Sequence, residues 1–278
     1  MTGVEQTPAH VVDQLIEERA VRLSANSMLW PWIKRVFYPL LGYEKARSIA
    51  DALVAKPGEE AMDWAQDFLS MSASVDGLDY VPETGPCVIT ANHPGGISDG
   101  IAVWQALKAR RPDMVFFANR DAIRVCEGLS DVVIPVEWRP GYRNREKTRD
   151  TLKRAITAFQ QGRCVVVFPA GRMSVWDWRT LSLRDDSWQP TAVSLARKFK
   201  APIISLGVKQ RMSLWFYGLG LIHEELRHMT VFHELLAKKG AHYRLKFGAP
   251  LDPLALAGDE QVASESLRLC SQGLARQA

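Results

Sequence analysis

His93 and Asp99 lie in the run Ile89-Thr-Ala-Asn-His-Pro-Gly-Gly-Ile-Ser-Asp-Gly100, on either side of a turn dense in glycine and proline. A carboxylate on one imidazole nitrogen fixes the tautomer and stabilises the imidazolium that forms when the other nitrogen takes a proton. That is the chemistry of a general base acting on a poor nucleophile such as an alcohol. Pro94, Gly95 and Gly96 let the loop fold back tightly, because glycine accepts backbone angles closed to other residues, and Asp99 could then reach the ring. The same residues also fit an ordinary strand-to-helix turn in which Ser98 caps the helix, Asp99 complements its dipole and His93 fills space. A second stretch, Phe168-Pro-Ala-Gly-Arg-Met-Ser174, makes another small-residue turn. Its backbone N–H groups and the Arg172 guanidinium would suit a phosphate or another oxyanion.

The elements around these stretches place both turns at strand ends. Up to about residue 80 the periodicity is helical, over Val11 to Leu23, an aromatic segment from Ser27 to Tyr43, and on to Leu69. From Cys87 onward short apolar runs alternate with amphipathic stretches. Strands are expected at Cys87 to Thr90, Met114 to Ala118, Val132 to Val136, Cys164 to Phe168, Pro202 to Val208 and Tyr243 to Phe247. Helices are expected at Ser98 to Arg110, Arg145 to Gln161, Thr191 to Phe199, Glu224 to Lys239 and from about Asp259. The fold class is therefore α/β, a mostly parallel central sheet flanked by helices, whose reactive loops sit at the carboxyl ends of the strands. Residues 1–79 form an N-terminal helical extension and 80–278 the α/β domain.

Taken together and in this order, the two stretches resemble the glycerolipid acyltransferase superfamily, with its Asn-His-x4-Asp and Phe-Pro-Glu-Gly-Thr-Arg-Ser motifs. They are most similar to the bacterial lysophospholipid or hemolysin-type subgroup, in which the first motif reads Asn-His-Pro-x-Gly-x-x-Asp-Gly and the second begins Phe-Pro-Ala-Gly. The resemblance covers residues 80 to 250, roughly, and leaves the N-terminal helices unmatched. It implies that His93 deprotonates an acceptor hydroxyl, that Asp99 orients it, and that Asn92, Gly95 and Gly96 shape the loop on the substrate side. It further implies that Pro169, Gly171 and Arg172 line the acceptor or phosphate side. Arg139, ending Ile134-Pro-Val-Glu-Trp-Arg139, would correspond to the arginine of the family's middle motif that contacts an acceptor phosphate. This sequence departs from the common pattern in three places. Five residues separate His93 from Asp99, Ala170 replaces a glutamate, and Arg172 replaces threonine or, in the subgroup, glutamate.

Bulk properties narrow the remaining classes. With 278 residues, 47% hydrophobic and 24% charged, the chain can bury a substantial core. Cys87, Cys126, Cys164 and Cys270 form no CxxC pair, so the pattern fits a reducing compartment with neither a disulfide framework nor a zinc knuckle. His223-Glu-Glu-Leu-Arg-His228 brings the zincin motif to mind, but its second histidine is one position too late to share a helix face, and no metal site is expected. The basic stretch Arg143 to Arg154 is interleaved with acids as on an exposed helix, and no nucleic-acid motif accompanies it. No Gly-x-Ser-x-Gly elbow is present, which argues against a serine hydrolase. No export signal is read at the start of the chain. Residues 27–43 carry Trp30, Trp32, Phe37 and Tyr38 beside Lys34 and Arg35, a composition suited either to a membrane interface or to a docked helix. Trp215 to Ile222 offers a second apolar segment of the same kind.

The expectation is a peripheral membrane O-acyltransferase on the cytoplasmic side of the inner membrane. It would move an acyl chain from acyl-CoA or acyl carrier protein to the hydroxyl of a lysophospholipid or lyso-aminolipid. No cofactor is needed, because transfer from a thioester to an alcohol is downhill and the barrier lies in activating the hydroxyl and stabilising an oxyanion. The alternative is a catalytically silent lipid-binding or membrane-tethering protein on the same fold.

Overall fold

The computed structural model describes residues 9–278 apart from 138, 139, 143 and 178. Five short helices open the chain: α1 (Val11–Glu17), α2 (Val21–Ser24), α3 (Leu29–Leu40), α4 (Tyr43–Leu53) and α5 (Gly58–Leu69). Then come β1 (Ser72–Asp76), β2 (Cys87–Ala91), α6 (Ile97–Leu107), β3 (Val115–Asn119), α7 (Asp121–Val125), β4 (Val133–Val136), α8 (Arg145–Gln160) and β5 (Cys164–Val167). A small hairpin, β6 (Val175–Asp177) and β7 (Ser182–Arg184), leads to α9 (Thr191–Phe199) and β8 (Ile203–Lys209). The chain ends with α10 (Leu214–Ile222), α11 (Glu224–Met229), α12 (Val231–Leu236), β9 (His242–Phe247) and α13 (Glu260–Gln277).

Seven strands form one sheet in the order β1-β9-β8-β2-β5-β3-β4. β8, β2, β5, β3 and β4 run parallel to one another, whereas β9 pairs antiparallel with β8 and parallel with β1. The α/β expectation therefore holds, with an N-terminal helical portion. β2 is buried at every position, as a central strand covered on both faces must be, and this is why its sequence is a continuous apolar run. Its side chains alternate: Cys87, Ile89 and Ala91 join the core beneath α6, and Val88 joins the core beneath α8, α9 and α13.

The strand β1 corrects the expectation of helix throughout the region before residue 80. Ser72-Ala-Ser-Val-Asp76 is polar and mostly exposed, an edge strand with no apolar run to announce it, and its structure comes from pairing with β9. The hairpin of β6 and β7 is equally short and was not expected from the sequence. The N-terminal helices have a core of their own, built from Val12, Ile16, Trp30, Ile33 and Ala46, and Met229 at the end of α11 completes it. Among the described residues no helix is long and apolar enough to cross a membrane.

β8 lies against α13 so closely that Gly207 has no room for a side chain. A Cβ there would sit 2.2 Å from Ala275 N and 2.5 Å from the Leu274 carbonyl carbon, both backbone atoms of α13. Because backbone cannot rotate away, Gly207→Ala must shift the helix or the strand next to β2. We expect a loss of about 2–3 kcal/mol in urea-denaturation midpoint analysis, and an unchanged midpoint would show that α13 yields freely.

Candidate active site

β2 lies between β5 and β8, so the loops leaving the carboxyl ends of these three strands meet over the middle of the sheet. Asn92 starts the first loop. Its amide nitrogen donates to the Val208 carbonyl at 2.9 Å and its oxygen accepts the Val208 N–H at 2.7 Å. The side chain thus continues the β2–β8 pairing beyond the last strand residue and fixes where the loop departs. Both ends of this amide bond to backbone, so Asn92 shapes the start of the loop.

The loop then closes on itself. His93 Nδ1 lies 2.9 Å from Asp99 Oδ2, and the Gly95 N–H donates to the same oxygen at 2.8 Å. Asp99 is fully buried, whereas the His93 side chain is 19% exposed, so the ring alone reaches the surface. An ionised carboxylate only accepts, which assigns the Nδ1 proton to the bond with Asp99 and leaves Nε2 as a free base. The loop turns at Gly96, whose φ of 70° is left-handed, and helix α6 begins immediately after it. Ser98 does not cap α6. Its hydroxyl donates to the Gly95 carbonyl at 2.8 Å, and since it has one proton, it accepts from the Tyr243 hydroxyl 2.7 Å away. Burial and the neighbouring Asp99 carboxylate push the Tyr243 pKa far up, so this phenol stays protonated as a donor.

The second turn touches the first. Phe168, at the end of β5, stacks on the His93 ring with centroids 4.3 Å apart at 27°. The Ser174 N–H donates to the His93 carbonyl at 2.9 Å. Within the turn, Pro169 and Ala170 are buried, the Pro169 carbonyl accepts the Gln189 N–H at 3.0 Å, and Gly171 takes a φ of 66° to reverse the chain. Arg172 projects outward with its side chain 67% exposed, 3.3 Å from Asp186. Solvent screens that ion pair, so it holds the guanidinium only weakly.

The third loop, after β8, packs on the first. A Cβ on Gly96 would meet Met212 Cε at 2.4 Å, and one on Gly95 would meet Asp99 Oδ1 at 2.3 Å and the Tyr243 hydroxyl at 2.5 Å. Two buried α12-side groups pin that loop. Glu234 accepts the Ser213 N–H at 2.7 Å, and the Lys238 amine donates to the Arg211 carbonyl.

Of the residues expected from sequence, His93, Asp99, Asn92, Gly95, Gly96, Pro169, Gly171 and Arg172 gather at this end of the sheet. Arg139 lies outside the described residues, as does Arg143. Phe168, Ser174, Ser98 and Tyr243 were missed as participants. Tyr243 could not have been found locally, since it comes from β9 and is placed beside Asp99 only by the sheet. The histidines of the zincin-like stretch are spent elsewhere: His223 Nδ1 caps α11 by accepting the Glu225 N–H, and His228 Nε2 lies 3.8 Å from Glu224. Among the described residues no cluster of His, Cys, Asp and Glu could hold a metal ion.

Comparison with known proteins gives three findings. A sequence model of the Acyltransferase family matches residues 72–209. A lyso-glycine lipid O-acyltransferase from Phocaeicola vulgatus is 25% identical over 202 residues, which is 70% of this chain and 70% of that protein. The crystal structure of the 1-acyl-sn-glycerophosphate (LPA) acyltransferase from Thermotoga maritima aligns over 96% of this chain and 97% of that one, with a TM-score of 0.48 and 16% identity.

The contacts around Gly95 make a direct test of the loop. Gly95→Ala would drive a methyl group between Asp99 and Tyr243 and open the Nδ1 to Oδ2 bond. We expect turnover to fall about 100-fold in a protein whose far-UV circular dichroism is unchanged. Full activity of that variant would mean that the His93 and Asp99 pairing is dispensable.

Proposed function

The chain belongs to the glycerolipid acyltransferase superfamily and is an acyltransferase, and from that premise we propose that it esterifies the free hydroxyl of a lyso-lipid with an acyl group drawn from acyl-CoA or acyl carrier protein. The observation that carries this reading is the His93 to Asp99 hydrogen bond, with Nε2 left free at the carboxyl end of β2. Asp99 holds the ring through Nδ1, and Nε2 takes the proton of the acceptor hydroxyl as its oxygen attacks the thioester carbonyl. The tetrahedral oxyanion collapses with cleavage of the C–S bond. The departing thiolate takes the proton back from Nε2–H, and the ester and free thiol leave. The Phe168 ring stacks on His93 and holds the imidazole from one face.

Two features support a lyso-aminolipid as the acceptor. The relative from Phocaeicola vulgatus is named for a lyso-glycine lipid, and Ala170 stands where the common motif carries a glutamate. Arg172 then meets the acidic part of the headgroup. His93 and Asp99 argue against a silent homologue, because a buried carboxylate bonded to a histidine that reaches the surface is a charge arrangement that folding alone does not require.

We also propose that the protein works as a peripheral membrane protein on the cytoplasmic face. The expectation for residues 27–43 is refined in one respect. Trp30 is 7% exposed, donates its ring N–H to Glu17 at 3.1 Å, and belongs to the N-terminal core, with Phe37 and Tyr38 packed beside it. The outward stripe is instead Leu29, Trp32, Val36 and Leu40, spaced at about one helical turn along α3, with Met28 just before it. Leu214, Trp215, Leu221 and Ile222 of α10 are exposed as well.

Two experiments test these readings. Purified protein is incubated with acyl-CoA and acyl-carrier-protein thioesters and a panel of lyso acceptors, with and without phosphate, while free thiol and acylated product are followed. His93→Ala is expected to lose about 100-fold or more of the transfer rate, and equal rates for both proteins would sink the general-base reading. For the membrane, Met28, Trp32, Val36 and Leu40 replaced together by serine should weaken binding to anionic vesicles at least about tenfold. Trp30→Ala should instead lower thermal stability, and unchanged vesicle binding by the folded quadruple variant would reject the interfacial role.

A further inference from the structure

The main chain of His93 is held by groups that its own motif does not supply. Its carbonyl accepts the Ser174 N–H, and its own N–H points at Asp185 Oδ1, 3.4 Å away. Asp185 follows directly on β7 and is 2% exposed. The Ser174 hydroxyl donates to Asp185 Oδ1 at 2.5 Å and Trp188 Nε1 donates to Oδ2 at 2.9 Å, while Trp188 is itself 1% exposed. Three donors from three places in the chain thus converge on one carboxylate.

A carboxyl group taken out of water is costly unless donors or a cation compensate it. Burial pushes the Asp185 pKa up, and the bonds from Ser174, Trp188 and His93, with the charge of His93, pull the other way. Directed hydrogen bonds from Ser174 and Trp188 are the largest compensation, and the charges of His93 and Arg268 add to it at longer range. Such bonds fix direction, and what they fix is the junction of the two motifs. Ser174 ends the second turn and contacts His93 with its N–H and Asp185 with its hydroxyl, closing a ring of contacts around the histidine backbone.

We propose that Asp185 is a positioning residue for His93: its carboxylate ties the histidine's main chain to the Ser174 end of the second turn and so sets where Nε2 meets the acceptor hydroxyl. Asp99 fixes the rotation of the ring, and Asp185 fixes the backbone from which the ring extends. Both are needed, since a displacement of about 1 Å at the reacting nitrogen costs about 100-fold in rate. The proposal rests on His93 being the general base.

The test compares wild type, Asp185→Asn, His93→Ala and the double variant, all below the melting temperature of the least stable. Asparagine keeps the shape of the side chain but turns an NH2 group toward one of the three donors, so the clamp opens on at least one side. The expected result is a kcat about tenfold to 100-fold lower, with KM for thioester and acceptor within about twofold. In the His93→Ala background the same substitution should leave the residual rate unchanged, because it acts only through the histidine. Ser174→Ala should lower kcat in the same sense, by less than a multiplicative amount when combined with Asp185→Asn. An unchanged kcat in folded Asp185→Asn, or an equal further loss on top of His93→Ala, overturns the proposal. A second readout needs no turnover. The low-field NMR signal of the His93 Nδ1 proton, identified by its loss in His93→Ala, should shift or broaden in Asp185→Asn, and an unmoved signal overturns the positioning role. If wild type released no thiol from any donor, the general-base reading would fail by itself, and the NMR arm would still decide what Asp185 does to the loop.

Discussion

The site depends on keeping one carboxylate dry. Asp99 is fully buried at the start of α6, and a buried carboxylate is tolerated only where donors reach it. Here the loop supplies them itself: the His93 ring N–H and the Gly95 N–H converge on Oδ2. Both glycines follow from that requirement. At Gly95 the Asp99 oxygen and the Tyr243 hydroxyl already fill the space a Cβ would need, and at Gly96 the chain must turn through a left-handed φ to begin the helix. The glycine-rich stretch is thus a consequence of bringing a histidine and an aspartate together six positions apart, and its flexibility in other contexts is not used.

Strand order carries the next level of the argument. With β2 between β5 and β8, three loops meet at one end of the sheet, and the two that flank the histidine's loop brace it. Phe168 from β5 covers a ring face, Ser174 holds the main-chain carbonyl, and Met212 from the β8 loop packs against Gly96. Asn92 extends the β2–β8 pairing by one residue with its side chain, so the loop begins from a fixed point instead of a frayed strand end. The antiparallel turn of β9 against β8 then delivers Tyr243 to the back of Asp99.

What could be read in the sequence, and what could not, divides along this line. The central strands were legible because burial on both faces leaves uninterrupted apolar runs, as in Cys87 to Thr90 and Cys164 to Phe168. The pairing of His93 with Asp99 was legible because both belong to one short loop whose glycines permit closure. β1 was not, because its five residues are mostly exposed and only Ala73 and Val75 interrupt the polar side chains, too short and too weak an alternation to announce a strand. Asp185, Trp188 and Tyr243 were not, because their meaning depends on contacts made across 92 and 145 residues, and no local pattern encodes those. The aromatic segment is the instructive middle case. Composition grouped Trp30 with Trp32, but the helical phase separates them, placing Trp30 on the core face with Ile33 and Trp32 on the outer face with Val36 and Leu40. The information was present as periodicity and was obscured by counting rings.

The proposed membrane placement and the loop geometry bear on each other through chain length. Only Met212 and Ser213 separate Arg211 from α10, and Met212 packs on the His93 loop while Leu214, 86% exposed, and Trp215 face outward. A lipid whose chain stays in the bilayer need bring only its headgroup and hydroxyl across this short distance. Full extraction would cost about 0.8 kcal/mol for each methylene transferred to water, or on the order of 12 kcal/mol for a chain of about 15, far more than contacts to one headgroup return. On the proposed placement the third loop therefore has two tasks that constrain each other: it must be rigid enough to hold Gly96 in place, which the buried Glu234 and Lys238 contacts provide, and it must leave the first turn of α10 at the surface. The buried Glu234 and Lys238 make sense in that setting, because they fix a backbone segment that has an apolar, solvent-facing helix on one side and the His93 loop on the other.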